Sequence, residues 1–155
     1  MEEVHFLSEW MIKFLENRDS IRKSIVKIEK NEHGFAVQYK ERTRKFWVRL
    51  SLDTEFLNDL KEEDLGIITL NNQENTRFVN SNWGKISSFR MLSIYFVNPF
   101  SSSDKAWILN PHVHNSICDR SSLLQGLKSM SEMVEPINQD SLKEKLRLKK
   151  EEPGR

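Results

Sequence analysis

The chain is poor in the residues that build disulfides, zinc sites and phosphate-binding loops. It has one cysteine, Cys118, in 155 residues, so neither an intrachain disulfide nor a multi-cysteine zinc site can form. Its five glycines are scattered, and no glycine-rich phosphate loop, Gly-x-Ser-x-Gly turn or His-Glu-x-x-His motif is present. A single free thiol is typical of a reducing compartment, so we expect a cytoplasmic protein.

Long apolar runs and an excess of charge of one sign are missing as well. No uninterrupted apolar stretch approaches the ~20 residues that span a bilayer. The first residues lack the basic and apolar regions of a secretory signal. The 24 basic and 23 acidic residues give a net charge of +1, so no overall charge draws the protein to nucleic acid or to an anionic membrane. We expect no membrane partner.

The first half of the chain combines a helical pattern with three alternating patterns. Apolar residues spaced by three and four over 6–15 predict an amphipathic helix. Alternating apolar residues predict strands at 26–28, 35–39 and 46–50, which we interpret as an antiparallel meander. Residues 20–30 also fit a helix in part. Asp53 or Thr54 then caps a short helix.

The second half predicts a parallel crossover and a final helix. Ile67–Leu70 and Met91–Val97 are apolar enough to be buried strands, and a helical pattern lies between them, with a buried side formed by Phe78, Val79, Trp83 and Ile86. Such a strand–helix–strand unit forms a right-handed crossover. A returning strand at Ala106–Leu109 precedes a helix at 123–134, capped by Asp119 or Ser121.

These elements together predict an α/β (α+β-like) fold. We expect a mixed sheet of about five to six strands, with an antiparallel meander and a parallel crossover, flanked by about four helices. Residues 1–137 form a single domain in this prediction. Residues 138–155 are a charged tail, partly helical or disordered, and disordered beyond about Lys150. In the alternative interpretation the tail is a helix that docks on a partner.

The order of helix, three-strand meander, helix and strand across residues 3–70 resembles the core of the restriction-endonuclease-like nucleases. That family places an Asp and a Glu-x-Lys on the middle strands of the meander. Here those strands are Phe35–Tyr39 and Phe46–Leu50, and neither holds an acidic residue. The resemblance therefore implies an element order but supplies no residues for metal-dependent cleavage.

Residues 111–119 form the first candidate site. On an extended segment, His112 and His114 point to the same side, where two imidazoles can hold a divalent metal with Asp119 or Cys118 as a third ligand. A small metal-dependent hydrolase is one functional hypothesis from this pattern. The alternative is that Asp119 caps the last helix and the histidines are solvated. Cys118 is either a nucleophile paired with histidine or a small packing residue.

A basic hairpin with aromatic flanks forms the second candidate site. Cations of this kind bind phosphates while aromatic faces stack on bases. The alternative is a solvated turn whose charges protect a sheet edge. The candidate nucleic-acid-binding residues are Lys40, Arg42, Arg44, Lys45, Trp47 and Arg49.

The absence of catalytic motifs favours a non-enzymatic protein-interaction module. Its partner would be another protein, met by exposed aromatic residues such as Trp47, Trp83 or Phe100. A nucleic-acid-associated protein using the 39–49 hairpin and the metal-dependent hydrolase are the two alternatives. No cofactor is expected, apart from the divalent metal of the hydrolase hypothesis.

Overall fold

A computed structural model of the chain describes residues 1–151. Within them, six strands form one sheet, and their order in the sheet is their order along the chain. The strands are β1 (Ile25–Asn31), β2 (Gly34–Tyr39), β3 (Thr43–Val48), β4 (Leu65–Leu70), β5 (Leu92–Val97) and β6 (Ala106–Leu109). The helices are α1 (Glu2–Arg18), α2 (Thr54–Asp59), α3 (Gln73–Ser81), α4 (Trp83–Ile86), α5 (Pro111–Ile117), α6 (Leu123–Ser131) and α7 (Gln139–Glu151).

The sheet is mixed, which confirms the predicted α/β fold. β1, β2 and β3 form an antiparallel meander. β3, β4 and β5 are parallel, and β6 returns antiparallel to β5. The helix predicted between β4 and β5 is two helices, because Asn82 donates from its backbone and its side chain to the carbonyl of Phe78 and so ends α3.

One face of the sheet is covered by α1 and α7, and we call it the α1 face. Alternate strand residues, including Phe35 and Phe46, are fully buried against Leu7 and Met11 of α1. Leu142 and Leu146, four residues apart on α7, are buried in the same core. Residues 139–151 are therefore helical, the first of the two predicted alternatives, and their leucines pack against α1 and the sheet. Most of the disorder predicted beyond Lys150 lies outside the described residues.

The opposite face is covered by α2, α3, α4 and α6. The ring of Phe96 stacks on Trp107 with centroids 4.2 Å apart. Trp83 is also buried, and its indole N–H donates to Asn115 over 2.8 Å. The prediction of Trp83 as an exposed anchor is thus wrong, because its ring belongs to this core. Within residues 1–151, every helix is too short or too polar to cross a bilayer.

Gly66 in β4 lets an aromatic ring of β3 lie across the sheet. A Cβ at Gly66 would lie 2.6 Å from Cε1 of Phe46, so any larger residue collides with that ring. Phe46 stacks on Phe35 with centroids 4.9 Å apart and tilts against Tyr95 at 5.9 Å. The packed rings of Phe35, Phe46 and Tyr95 support the residues at one end of the sheet.

Candidate functional site

A cleft opens on the α1 face, at the end of the sheet where β2 ends and β3 and β5 begin. Its volume is about 850 Å³. One wall is the end of α1 and the loop after it, residues 18–24, and the other is the β2–β3 turn, residues 39–42. Buried Tyr95 of β5 and half-buried Ile108 of β6 form the floor. We call this concavity the basic cleft, for the reason that follows.

Cations outnumber acids around the basic cleft. Its lining contains five basic side chains and two acidic ones. Arg22 and Lys40 are exposed and form no ion pair within residues 1–151. They belong to adjoining segments, since the backbone N–H of Lys40 donates to the Ser24 carbonyl over 2.9 Å, so positive charge from both segments gathers at the opening. The remaining three basic residues are Arg18, Arg42 and Arg44.

Asp19 organises the first wall. Its carboxylate accepts hydrogen bonds from the backbone N–H groups of Ser24, over 3.0 Å, and Ile25, over 2.8 Å, and from the Ser24 hydroxyl. The hydroxyl bond is the largest cause holding the pKa of Asp19 below its ordinary value. Between these residues, Lys23 takes the left-handed backbone conformation with φ of 50°. This acid therefore fixes the loop that carries Arg22.

Arg44 supports the second wall from below. Its side chain is 10% exposed, lies over the Phe46 ring, and donates from Nη2 to the Leu65 carbonyl over 2.9 Å. Its Nε lies 3.4 Å from Oδ1 of Asp64, which also faces Arg42 at 3.3 Å. A buried charge held by these partners is costly to remove. Arg44 is therefore mainly structural, whereas Arg42, 56% exposed, presents its charge to the opening.

Tyr39 and Arg42 form the aromatic part of the cleft. Tyr39 is half-buried at the end of β2, and the Arg42 guanidinium carbon lies 5.5 Å from its ring centroid. Burial raises the pKa of Tyr39, with a further contribution from nearby Tyr95. The phenol consequently stays neutral at physiological pH and adds no negative charge to the cleft.

The structure divides the six residues predicted from the hairpin. Lys40, Arg42 and Arg44 line the basic cleft. The other three project from the opposite face, because successive strand residues alternate. There Lys45 donates to Glu63 over 3.2 Å, and Arg49 donates to Asp59 over 2.6 Å. The Arg49 guanidinium also lies 5.7 Å from the Trp47 ring centroid. The six residues therefore lie on two faces of the sheet, and their part in nucleic-acid binding stays a prediction.

Two arginines of the cleft were missed by sequence reasoning. Arg18 and Arg22 lie about twenty residues before the hairpin, and the antiparallel pairing of β1 with β2 brings them to it. The only signal in the sequence is the basic segment that follows the first helical pattern. Such a segment is ordinary at a helix end, where cations favour the helix dipole.

The segment around the two histidines is helical instead of extended. Pro111 occupies the first turn of α5, a position where its fixed φ suits a helix. Side chains two apart on a helix diverge, so His112 and His114 do not point to the same side. His112 Nδ1 lies 3.0 Å from the Ser87 carbonyl, and the His114 ring meets Trp83 edge-on at 5.7 Å.

Asp119 and Cys118 are also engaged locally. Asp119 accepts from the Ser121 hydroxyl over 2.8 Å and caps the 3-10 helix Arg120–Ser122. The predicted capping of the last helix by Asp119 or Ser121 is wrong, because this 3-10 helix comes between and Ser122 is the N-cap residue of α6. Cys118 packs against the core opposite the α1 face, with its thiol 3.3 Å from the Asp119 carbonyl. Among residues 1–151, no three His, Cys, Asp or Glu side chains converge to hold a metal ion. A metal role for His112, His114 and Asp119 stays a prediction.

A small apolar groove lies beside the edge strand β6. It measures about 190 Å³ and lies between β6, α5 and α6. Val113 and Met130 line it and are largely exposed, while Trp107 and Leu127 form its buried side. Exposed apolar side chains of this kind are typical of protein-binding surfaces, so protein binding stays a prediction for this groove.

Comparison with known proteins identifies no relative. No protein family, no curated protein and no solved structure matches the chain. The functional inference therefore depends on the residues of the basic cleft alone.

Proposed function

We propose that the protein is a nucleic-acid-binding module and that the basic cleft holds the sugar-phosphate backbone. The observation that carries this proposal is the convergence of basic side chains from two separate segments, residues 18–22 and 40–44, on one concavity. The overall charge of +1 conceals this local excess. Proteins bind nucleic-acid backbones largely through Lys and Arg contacts to phosphates, whatever the base sequence.

The positions of the cations suit a polyanion better than a single small anion. Arg22 and Lys40 lie on adjoining segments and form no ion pair within the described residues. Arg18 and Arg42 are also exposed. A chain of phosphates that runs along the cleft can reach both segments in turn. The neutral phenol of Tyr39 adds no negative charge to the two acids of the lining.

The strength of the salt dependence follows from the number of exposed cations. Four phosphate contacts, one each from Arg18, Arg22, Lys40 and Arg42, predict a slope of log K against log salt of about −3 for a single strand. A rise from roughly 50 to 200 mM salt then weakens binding about 50-fold. A much shallower slope would contradict a binding mode based on these four residues.

The double variant Arg22→Glu/Lys40→Glu tests the proposal with little risk to the fold. Both side chains are exposed and without ion-pair partners among residues 1–151. We expect the magnitude of the slope to fall by about 1.4, roughly half of its value, since two of the four phosphate contacts are lost. The measurement is fluorescence anisotropy of a labelled oligonucleotide of mixed sequence, titrated with protein at several salt concentrations.

The matched control is Arg77→Glu/Lys128→Glu. These residues are equally exposed, lie on α3 and α6 away from the cleft, and undergo the same change in charge. We expect the control to bind like the parent protein. Equal weakening in both double variants would show that overall charge, and not the cleft, attracts the oligonucleotide. No binding by the parent protein at low salt would contradict the proposal itself.

Protein binding remains the second hypothesis for function, supported by exposed Val113 and Met130 in the apolar groove. No feature of the described residues identifies what covers this groove, so we propose no partner for it. We further propose a cytoplasmic location, which the unpaired thiol of Cys118 supports.

A further inference from the structure

We infer that the basic cleft selects single-stranded over duplex nucleic acid, with a base stacked on the paired side chains of Tyr39 and Arg42. This inference rests on the function proposed above and adds the form of nucleic acid that binds. Three features support it: the concave shape of the site, the two adjoining basic segments, and the Tyr39 ring with the Arg42 guanidinium beside it.

The shape favours an unpaired strand. Proteins that read a duplex insert a convex element, a helix or a β-ribbon, into a groove of the nucleic acid. Here the cations border an open concavity of about 850 Å³, which cannot enter the groove of a duplex but can receive the exposed backbone and bases of an unpaired strand.

The two basic segments favour a flexible strand that runs along them. Arg18 and Arg22 belong to the segment after α1, and Lys40 and Arg42 to the β2–β3 turn beside it, where the Lys40 N–H donates to the Ser24 carbonyl over 2.9 Å. Asp19 holds the first segment by its hydrogen bonds, and buried Arg44 supports the second. Fixed cations in this arrangement can bind one flexible backbone without a change in the protein.

Tyr39 and Arg42 supply planar groups on which a base can stack. Tyr39 is held by the core at the end of β2, and the Arg42 guanidinium lies over its ring at 5.5 Å. Arg42 is 56% exposed, even with its Nη1 3.3 Å from Asp64, so part of its planar group remains accessible. Unpaired bases stack on aromatic rings and on arginine planes, and in a duplex those base faces are already occupied by their neighbours.

The first experiment compares a single strand with its duplex. Labelled strands of roughly 12 nucleotides suit this purpose, since single-strand site sizes commonly run from about 4 to 16. We expect the single strand to bind at least about tenfold more tightly than the duplex of the same sequence at equal salt. Equal affinity, or a preference for the duplex, would overturn the inference.

Two substitutions then separate stacking from charge. Arg42→Lys keeps the positive charge but removes the planar group, and Tyr39→Leu keeps an apolar side chain but removes the ring. Because base–aromatic stacking corresponds to about a 5- to 150-fold gain in affinity, we expect each variant to weaken single-strand binding by at least about fivefold. Tyr39→Phe is the matched control and should bind like the parent protein. Thermal unfolding of each variant verifies that it is folded.

The slope of log K against log salt distinguishes a loss of stacking from a loss of charge. Arg42→Lys should weaken binding while the slope stays unchanged, because the number of neutralised phosphates is the same. If Arg42→Lys and Tyr39→Leu bind the single strand as well as the parent does, the stacking pair is refuted. If single strand and duplex bind equally and are both salt-sensitive, single-strand selection fails while the nucleic-acid-binding function stands. If neither binds, the proposed function fails as well.

Discussion

Replacing Leu142 by alanine should destabilise the whole domain, although the residue lies in a charged segment near the end of the chain. Leu142 is fully buried on the α1 face. Removing a buried leucine side chain costs about 2–5 kcal/mol, from lost burial and from the cavity that remains. For a chain of this length, each kcal/mol lowers the melting temperature by about 2–4 °C. We therefore expect a decrease of roughly 5–20 °C.

Leu148 provides the matched control, because it lies on the same helix and is 47% exposed. The substitution Leu148→Ala has the same effect on helix propensity but removes little buried surface, so we expect a change within about 0.5 kcal/mol. Denaturant unfolding gives the midpoint and the slope for both variants, and far-UV circular dichroism gives the melting temperature. Equal, small effects of both substitutions would refute the packing of α7 on the α1 face.

Two further predictions concern local packing and pH. Gly66→Ala should destabilise the domain by about 1–3 kcal/mol, because the new Cβ would lie 2.6 Å from the Phe46 ring. Gly126→Ala on α6 is the control, since no heavy atom lies within 4 Å of the added Cβ. It should stabilise the domain by about 0.5–1 kcal/mol. Denaturant midpoints compare the two, and an equal sign for both would contradict the ring contact. Asp19→Asn should lower the melting temperature at neutral pH, because the hydrogen bonds of Asp19 hold its pKa below the ordinary value and so stabilise the ionised form. That stabilisation is present above the unfolded pKa and is lost as the pH falls through the folded one, so the gap between variant and parent should close below roughly pH 4. A difference in melting temperature between Asp19→Asn and the parent that is constant with pH would contradict this role.

The sheet could be predicted because its signals are local. Alternating apolar residues indicate the meander, and the mainly apolar segment 91–97, interrupted only by Ser93, indicates a strand buried on both faces, which is β5 between β4 and β6. The short pattern around His112 failed for a related reason. Three residues that fit an extended strand also fit one turn of helix, and Pro111 at the first turn starts α5.

The basic cleft was only partly predictable because it is assembled across the chain. Its β2–β3 wall is a continuous basic segment, and Lys40, Arg42 and Arg44 were identified from it. Arg18 and Arg22 join that wall only after β1 has paired with β2. The leucines of α7 pose the same problem, since their spacing of four is visible in the sequence but the surface that receives them is formed mostly by residues more than a hundred positions earlier.

Packing of α7 beside α1 also has a consequence for biosynthesis. α1 is translated before the rest of the described chain, but Leu142 and Leu146, which complete its cover, follow more than 120 residues later. At roughly 5–20 residues per second, this delay is on the order of ten seconds. During that time the nascent chain presents an uncovered apolar strip that is open to chaperones. A chain truncated before residue 139 would retain that strip permanently and would be expected to aggregate.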